Sequence, residues 1–295
     1  MNNRSLKANR VIWVGLFINI ILTFLKLLAG IYGKSAAMIA DAFHSLSDFG
    51  TDIVVLLSFR IIDKPVDKSH DYGHGKVETL VSVVIGVVLL AVGVKICWSG
   101  LYRVYKFYQG QLIPQPGLIA FYAAAISIIS KEWLYRYTLK VGKAINSQAV
   151  IANAWHHRSD AFSSIGTMIG IGGAIILGER WRILDPIAAI VVSFLIIKTA
   201  VVISREGFNE LVEVSLSDKT ENEILGIVRS VPGVKMPHNL KTRKIGNYVA
   251  IDIHIRVNKD LNIMEGHAIA TEVEKKIKEA FGENAFISIH IEPSG

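Results

Sequence analysis

Cysteine and charge are what this 295-residue chain has least of. It carries one cysteine, Cys97, and only 19% of its residues are charged. One thiol excludes an internal disulfide framework and any zinc site built on cysteine. Cys97 lies in an apolar run, where a packed thiol is its expected role. A soluble domain carries about a quarter charged residues, so the shortage excludes both a disordered chain and an ordinary soluble enzyme. Motifs are missing as well. There is no G-x-x-x-x-G-K-[ST], hence no nucleotide-driven motor, and no H-E-x-x-H, hence no glutamate base beside a metal. The chain shows no low-complexity tract and no internal repeat. The stretch after Asn9 is apolar for far longer than the core of a signal peptide, and no small-residue cleavage pattern closes it.

What is present is apolar: 51% hydrophobic residues and a mean hydropathy of +0.41. The net charge of +7 is unevenly spread. Residues 1–205 hold 21 Lys and Arg against 11 Asp and Glu, whereas 206–295 hold 11 against 14. The first two thirds therefore read as a membrane domain and the last third as a soluble one. The basic residues sit between apolar runs and form no patch, so nucleic acid is not an expected partner.

A bilayer-spanning helix needs about 20 apolar residues. Segments 11–31, 77–101 and 187–203 meet that, and 118–139 does so if Lys131 and Glu132 are tolerated near its end. Two further segments are interrupted by polar groups: 35–62 by Asp41, His44, Asp48 and Asp52, and 149–177 by His156, His157, Arg158 and Asp160. Counting both gives six spans, with turns at Gly33-Lys34, Pro114-Gln115-Pro116-Gly117 and Asp185-Pro186. Ten flanking Lys and Arg fall on one side against five on the other, which places both termini in the cytoplasm. Gly166, Gly170, Gly172 and Gly173 read as close helix packing in the fifth span.

After Arg205 the periodicity changes. A short helix at 220–231 is followed by an alternating strand at 248–257, a helix at 264–281 and a second strand at 285–291. Ile251, Ile253 and Ile255 share one strand face while Asp252, His254 and Arg256 share the other. This predicts a small α+β module of one sheet layer and one helix layer.

The nine histidines carry the chemistry. His44 and Asp48 stand four apart, as do His156 and Asp160, so each pair shares one face of its helix. Two nitrogens and two oxygens from facing helices can close a tetrahedron around Zn²⁺, and ionisable groups inside spans are costly and functional as a rule. His157 points about 100° from His156 and reads as packing. Asp41, Asp52 and Asn153 carry no assignment. Asp67, His70 and His74 can hold a metal in the connection after the second span, although H-x-x-x-H in a loop is a weak signal. The tail adds His238, His254, His267, His290 and Glu292, with His254 and His290 on polar strand faces. Together they suggest a second metal-binding region.

Three motifs carry a resemblance: Ala40-Asp41-Ala42-Phe43-His44-Ser45-Leu46-Ser47-Asp48, Tyr72-Gly73-His74-Gly75-Lys76-Val77-Glu78 and Trp155-His156-His157-Arg158-Ser159-Asp160-Ala161. With the six spans and the α+β tail, the chain resembles the cation diffusion facilitator family of divalent-metal/proton antiporters over essentially its whole length. The resemblance implies an all-α six-helix transmembrane domain over 1–208. It also implies a cytoplasmic α+β domain, ferredoxin-like and metallochaperone-like, over 209–295. It places the transport site at His44, Asp48, His156 and Asp160, and a loop site at Asp67, His70 and His74. A paired-metal site that supports a homodimer falls at His238, His254, His267, His290 and Glu292, with glutamate where close bacterial relatives carry aspartate. Lys76 and Glu213 match an interlocking ion pair.

Two imidazoles and two carboxylates suit Zn²⁺ better than Mn²⁺ or Mg²⁺. Zinc efflux through the bacterial inner membrane in exchange for protons is the expectation, with cadmium, cobalt, iron or manganese as other substrates. A membrane-bound metal sensor and an intramembrane metalloenzyme are the alternatives, the second disfavoured because no general base is evident.

Overall fold

A computed structural model describes residues 3–61, 67, 69–144, 148–246 and 248–294. Six long helices come first: α1 (Asn3–Tyr32), α2 (Ala36–Ile61), α3 (Gly75–Tyr108), α4 (Leu118–Ala144), α5 (Gln148–Ile176) and α6 (Leu184–Leu211), the last preceded by a 3-10 turn at Glu179–Trp181. Then follow α7 (Asp218–Arg229), β1 (Lys235–Ile245), β2 (Tyr248–Asn258), α8 (Ile263–Phe281) and β3 (Phe286–Ser294). The six helices coincide with the six expected spans. Five stretches of them are long and apolar enough to cross a membrane among the described residues, and α2 is the helix outside that set. The side chain of Asp52 lies outside the described residues. The chain divides into two compact units, 1–53 with 84–203 and 54–83 with 204–295.

In the first unit the sidedness of a soluble protein is reversed. Trp13, Phe17, Phe24 and Leu28 of α1 point outward, as do Ile126, Ile129 and Trp133 of α4 and Val191, Phe194 and Leu195 of α6. Small residues fill the interior: Ala29, Ala37, Ala120, Ala123 and Ala124 meet Met38 and Ile171 in one cluster, and Ala36, Ala40 and Ala189 meet Val192 and Ile196 in another. Without a hydrophobic force between helices in lipid, close backbone approach supplies the packing. A Cβ at Gly170 would collide with that of Ala188, and one at Gly173 with the Leu184 side chain, so α5 and α6 need both glycines. Gly166 corrects the expectation: a Cβ there meets nothing within 4 Å, because that position faces open space.

The start of α2 is capped twice. Ser35 Oγ accepts from the backbone N–H of Met38 at 3.0 Å, and the Asp185 carboxylate accepts from Ser35 Oγ at 2.5 Å and from the Ala36 N–H at 2.7 Å. Serine and aspartate satisfy the unpaired donors of a helix start. Asp185 and Pro186, expected as a turn between spans, lie instead in the first turn of α6, where proline costs no hydrogen bond.

In the second unit β1, β2 and β3 form one sheet in that order, with β1 antiparallel and β3 parallel to β2. Ile251, Ile253, Ile255 and Val257 of β2 pack against Ile224 and Val228 of α7 and Val273 and Ile277 of α8. Ser217 caps α7, and a reciprocal capping box between Asn262 and Glu265 starts α8. At the start of α3, Gly75 sits so close to Gly246 that a Cβ on Gly246 would lie 2.9 Å from the Gly75 Cα. Glu210 bridges the same region, accepting from Thr79 Oγ1 at 2.5 Å and from the Gly246 N–H at 2.6 Å. Lys76 Nζ meets Glu213 Oε1 at 2.8 Å, and that ammonium holds the Glu213 carboxyl below its ordinary range.

Candidate metal centres

The i, i+4 spacing brings His44 beside Asp48 on α2 and His156 beside Asp160 on α5, but only three of the four converge tightly. Donor atoms of His44, Asp48 and Asp160 all lie within 4.8 Å of one another. Asp48 and Asp160 are buried, and His44 Nδ1 is buried without a hydrogen-bond partner. His156 stands apart from this triad. Its side chain is 50% exposed and its Nε2 is 3.9 Å from Asp160 Oδ1. All four line one cavity of about 880 Å³, which Val191, Val192, Leu195 and Val202 of α6 also line. Gly166 and Lys198 also line it. The open space at Gly166 is therefore part of this cavity. His157 turns away, as expected, and lies buried against Gly15 of α1.

Two buried lysines were not legible as site residues. Lys131 of α4 places Nζ 2.6 Å from Asp160 Oδ2, the two side chains being 1% and 5% exposed. Lys26 of α1 places Nζ 2.9 Å from Asp41 Oδ2 and donates to Ser45 Oγ and Ser164 Oγ, both at 3.0 Å. Ser164 in turn donates to Asp41 at 3.0 Å. Asp41 is thus a structural counter-charge tying α1, α2 and α5. A lysine inside an apolar run was the available signal, since burying an ammonium in a span without a partner is costly. The partner could not be named from spacing.

The loop residues Asp67, His70 and His74 lie close together. Asp67 Oδ1 is 3.2 Å from His70 Nδ1 and Oδ2 is 3.3 Å from His74 Nε2. The same carboxylate accepts from Ser69 Oγ at 2.7 Å and from the N–H groups of Ser69 and His70. Those hydrogen bonds, led by the Ser69 hydroxyl, hold the Asp67 carboxyl well below the usual range. Tyr72 anchors the loop to the sheet by packing on Phe286, ring centroids 5.3 Å apart.

On the sheet, register does what sequence distance could not. His238 pairs with His254 across β1 and β2, and His254 pairs with His290 across β2 and β3, so three imidazoles lie in one row. Irregularities flank His238 on both sides, with positive φ at Met236 and Asn239. Bulges of this kind re-aim a side chain. Glu292 gathers the row: Oε2 is 3.3 Å from His238 Nε2 and 3.4 Å from Arg256 Nε, and Oε1 is 3.0 Å from His254 Nδ1. The hydrogen bond from His254 and the neighbouring guanidinium keep the Glu292 carboxyl below its ordinary range. His238, His254 and Glu292 form a second tight group of donors. His290 lies beside it, 4.6 Å from His254 between ring centroids. His267 is exposed on α8 and outside the group.

Residues 12–212 match the family model described as the cation efflux transmembrane domain, and 216–294 match that of the cation efflux protein cytoplasmic domain. A manganese efflux system protein of Bacillus subtilis is 34% identical over 99% of this chain and 98% of its own. A magnetosome protein, MamB, of Magnetospira sp. is 32% identical over 92% of this chain and 90% of its own. Metal tolerance protein C1 of Arabidopsis thaliana is 34% identical over 98% of this chain, which spans 63% of that longer relative.

Proposed function

The chain belongs to the cation efflux, or cation diffusion facilitator, family, and from that premise we propose that it exports zinc from the cytoplasm in exchange for protons. Members of the family move divalent metal cations and are transporters, not enzymes. The convergence of His44, Asp48 and Asp160 inside a helical unit with an apolar exterior carries the reading. His156 is a fourth donor on the same cavity wall, and four nitrogen and oxygen donors suit Zn²⁺. To take up metal the imidazoles must be neutral and the carboxylates ionised. Metal and proton therefore compete for one site, so cytoplasmic zinc displaces protons and protons from the far side displace zinc. No nucleotide is consumed.

In this reading 1–208 is the transport domain, set in the bacterial inner membrane with both termini cytoplasmic, and 209–295 is its ferredoxin-like cytoplasmic domain. The protein works as a homodimer with alternating access. Metal at His238, His254, His267, His290 and Glu292 supports that dimer by neutralising acidic surfaces, and Asp67, His70 and His74 hold a further ion. Manganese is the second reading, favoured by the 34% identity to a manganese efflux system protein and by the two oxygens of the inner triad, which Mn²⁺ accepts.

Purified full-length protein in sealed vesicles loaded with a pH-sensitive dye tests both readings. Zinc entry with opposite proton movement is expected. Flux of manganese but not zinc replaces the substrate. Flux of neither overturns transport and leaves the metal-sensor alternative.

A further inference from the structure

Asp160 is already engaged on one side before any substrate is considered. Lys131 reaches its Oδ2 at 2.6 Å, while Oδ1 lies towards His156. Lys131 does not line the cavity shared by His44, Asp48, His156 and Asp160. Its ammonium is sealed behind the carboxylate, with 1% of the side chain exposed. A chain that only needed α4 to pack on α5 could do so with an apolar residue, because replacing a buried ion pair by apolar groups is often neutral or stabilising. Here the ion pair includes a carboxylate of the candidate transport site.

Two consequences follow from a fixed positive charge in that place. A divalent cation at the triad meets an Asp160 whose second oxygen is occupied. It also feels the repulsion of an ammonium a few ångströms away in a medium that screens poorly. Both effects weaken binding. A carrier requires this, since a site that grips its cargo too tightly cannot release it. Resting on the reading of His44, Asp48 and Asp160 as the transport site, we propose that Lys131 is a positioning residue whose charge holds Asp160 to one free oxygen and sets metal affinity low enough for turnover.

Neutralising Lys131 should therefore strengthen metal binding. Zinc binding to the full-length protein in detergent and zinc flux in proteoliposomes are measured for Lys131→Met, Lys131→Gln and Lys131→Arg, all in a background of Asp67→Asn, His238→Ala and His254→Ala that silences the other two donor groups. Lys131→Met and Lys131→Gln are expected to bind zinc roughly tenfold tighter or more, with KM and kcat falling together. Lys131→Arg, which keeps the charge, is expected to stay near the parent in both. Lys131→Gln can still donate to Asp160, so it decides the matter if Lys131→Met does not fold. Unchanged or weaker binding in the folded neutral variants overturns the proposal, as does failure of both to fold. Asp160→Asn separates the two readings. If it loses zinc binding while the neutral Lys131 variants bind no tighter, this inference alone fails. If it retains binding and flux, the site itself is wrong and the inference goes with it.

Discussion

Lys26 of α1 and Asp41 of α2 form a sealed ion pair, Nζ to Oδ2 at 2.9 Å, two helical turns before the Asp48 that lines the cavity. Two carboxylates on one helix thus have different fates. Asp41 is neutralised by a lysine and accepts a hydrogen bond from Ser164, while Asp48 faces His44 and Asp160 across the metal-sized group. Removing one partner of a buried pair strands the other's charge at a cost of about 3–5 kcal/mol. Lys26→Met or Asp41→Leu alone should therefore lower folded yield and melting temperature sharply. The double variant should recover most of the loss. Additive losses would show that the two side chains do not act as a pair.

Asp48 should behave otherwise. Asp48→Asn keeps side-chain volume and is expected to give folded protein with zinc flux lowered at least about a hundredfold, since it removes an anionic donor from a buried site. Asp160→Asn should lose flux as well, but it also strands the Lys131 ammonium, so its melting temperature should fall as in the Lys26–Asp41 pair. Vesicle flux at parental level in either variant would falsify the assignment.

His44→Asp exchanges the triad's one nitrogen for oxygen. Competition assays should show selectivity moving towards Mn²⁺, which favours oxygen ligands. An unchanged metal profile counts against His44 as a ligand.

Gly166 and Gly170 lie one turn apart on α5 and predict opposite outcomes. Gly166→Ala adds a methyl group to open space and should preserve folding and flux. Gly170→Val forces α6 away and should cost about 1–3 kcal/mol or more, as overpacking does. Thermal melting in detergent compares them directly.

Metal binding by the sheet should show one proton-linked transition. Glu292 has a carboxyl shifted below its ordinary 4.5, so its contribution is present above that value and is lost only as pH falls through the lower folded value. Metal competes with protons for its donors. Zinc binding to a full chain carrying Asp160→Asn and Asp67→Asn should therefore weaken as pH falls, with no Glu292 step at or above its ordinary 4.5. His238→Ala together with His254→Ala should remove this binding. A midpoint near 4 would assign the transition to carboxylates.

Much of this was legible from residue order, because helical and strand periods are local. Apolar length placed four of the six long helices and counting the polar-interrupted segments added the other two, the i, i+4 rule placed His44 beside Asp48, and alternation placed Ile251, Ile253 and Ile255 in the core opposite His254. Those features depend on neighbours within a turn or a pleat. What depends on which helix lies beside which was decided only by the fold. Lys131 follows a run of apolar residues in α4, and nothing in its spacing names Asp160, 29 residues away, as its counter-charge. Lys26 and Asp41 are likewise joined by packing across two helices. Gly166 and Gly170 are alike as letters, yet one faces a cavity and the other a neighbouring Cβ. His238 joins the row because strand register and two irregularities in β1 set it opposite His254, whereas exposed His267 on α8 stays outside that group. Charge pairing, cavity walls and cross-strand register are relations between distant segments, and only tertiary packing brings such segments within a few ångströms.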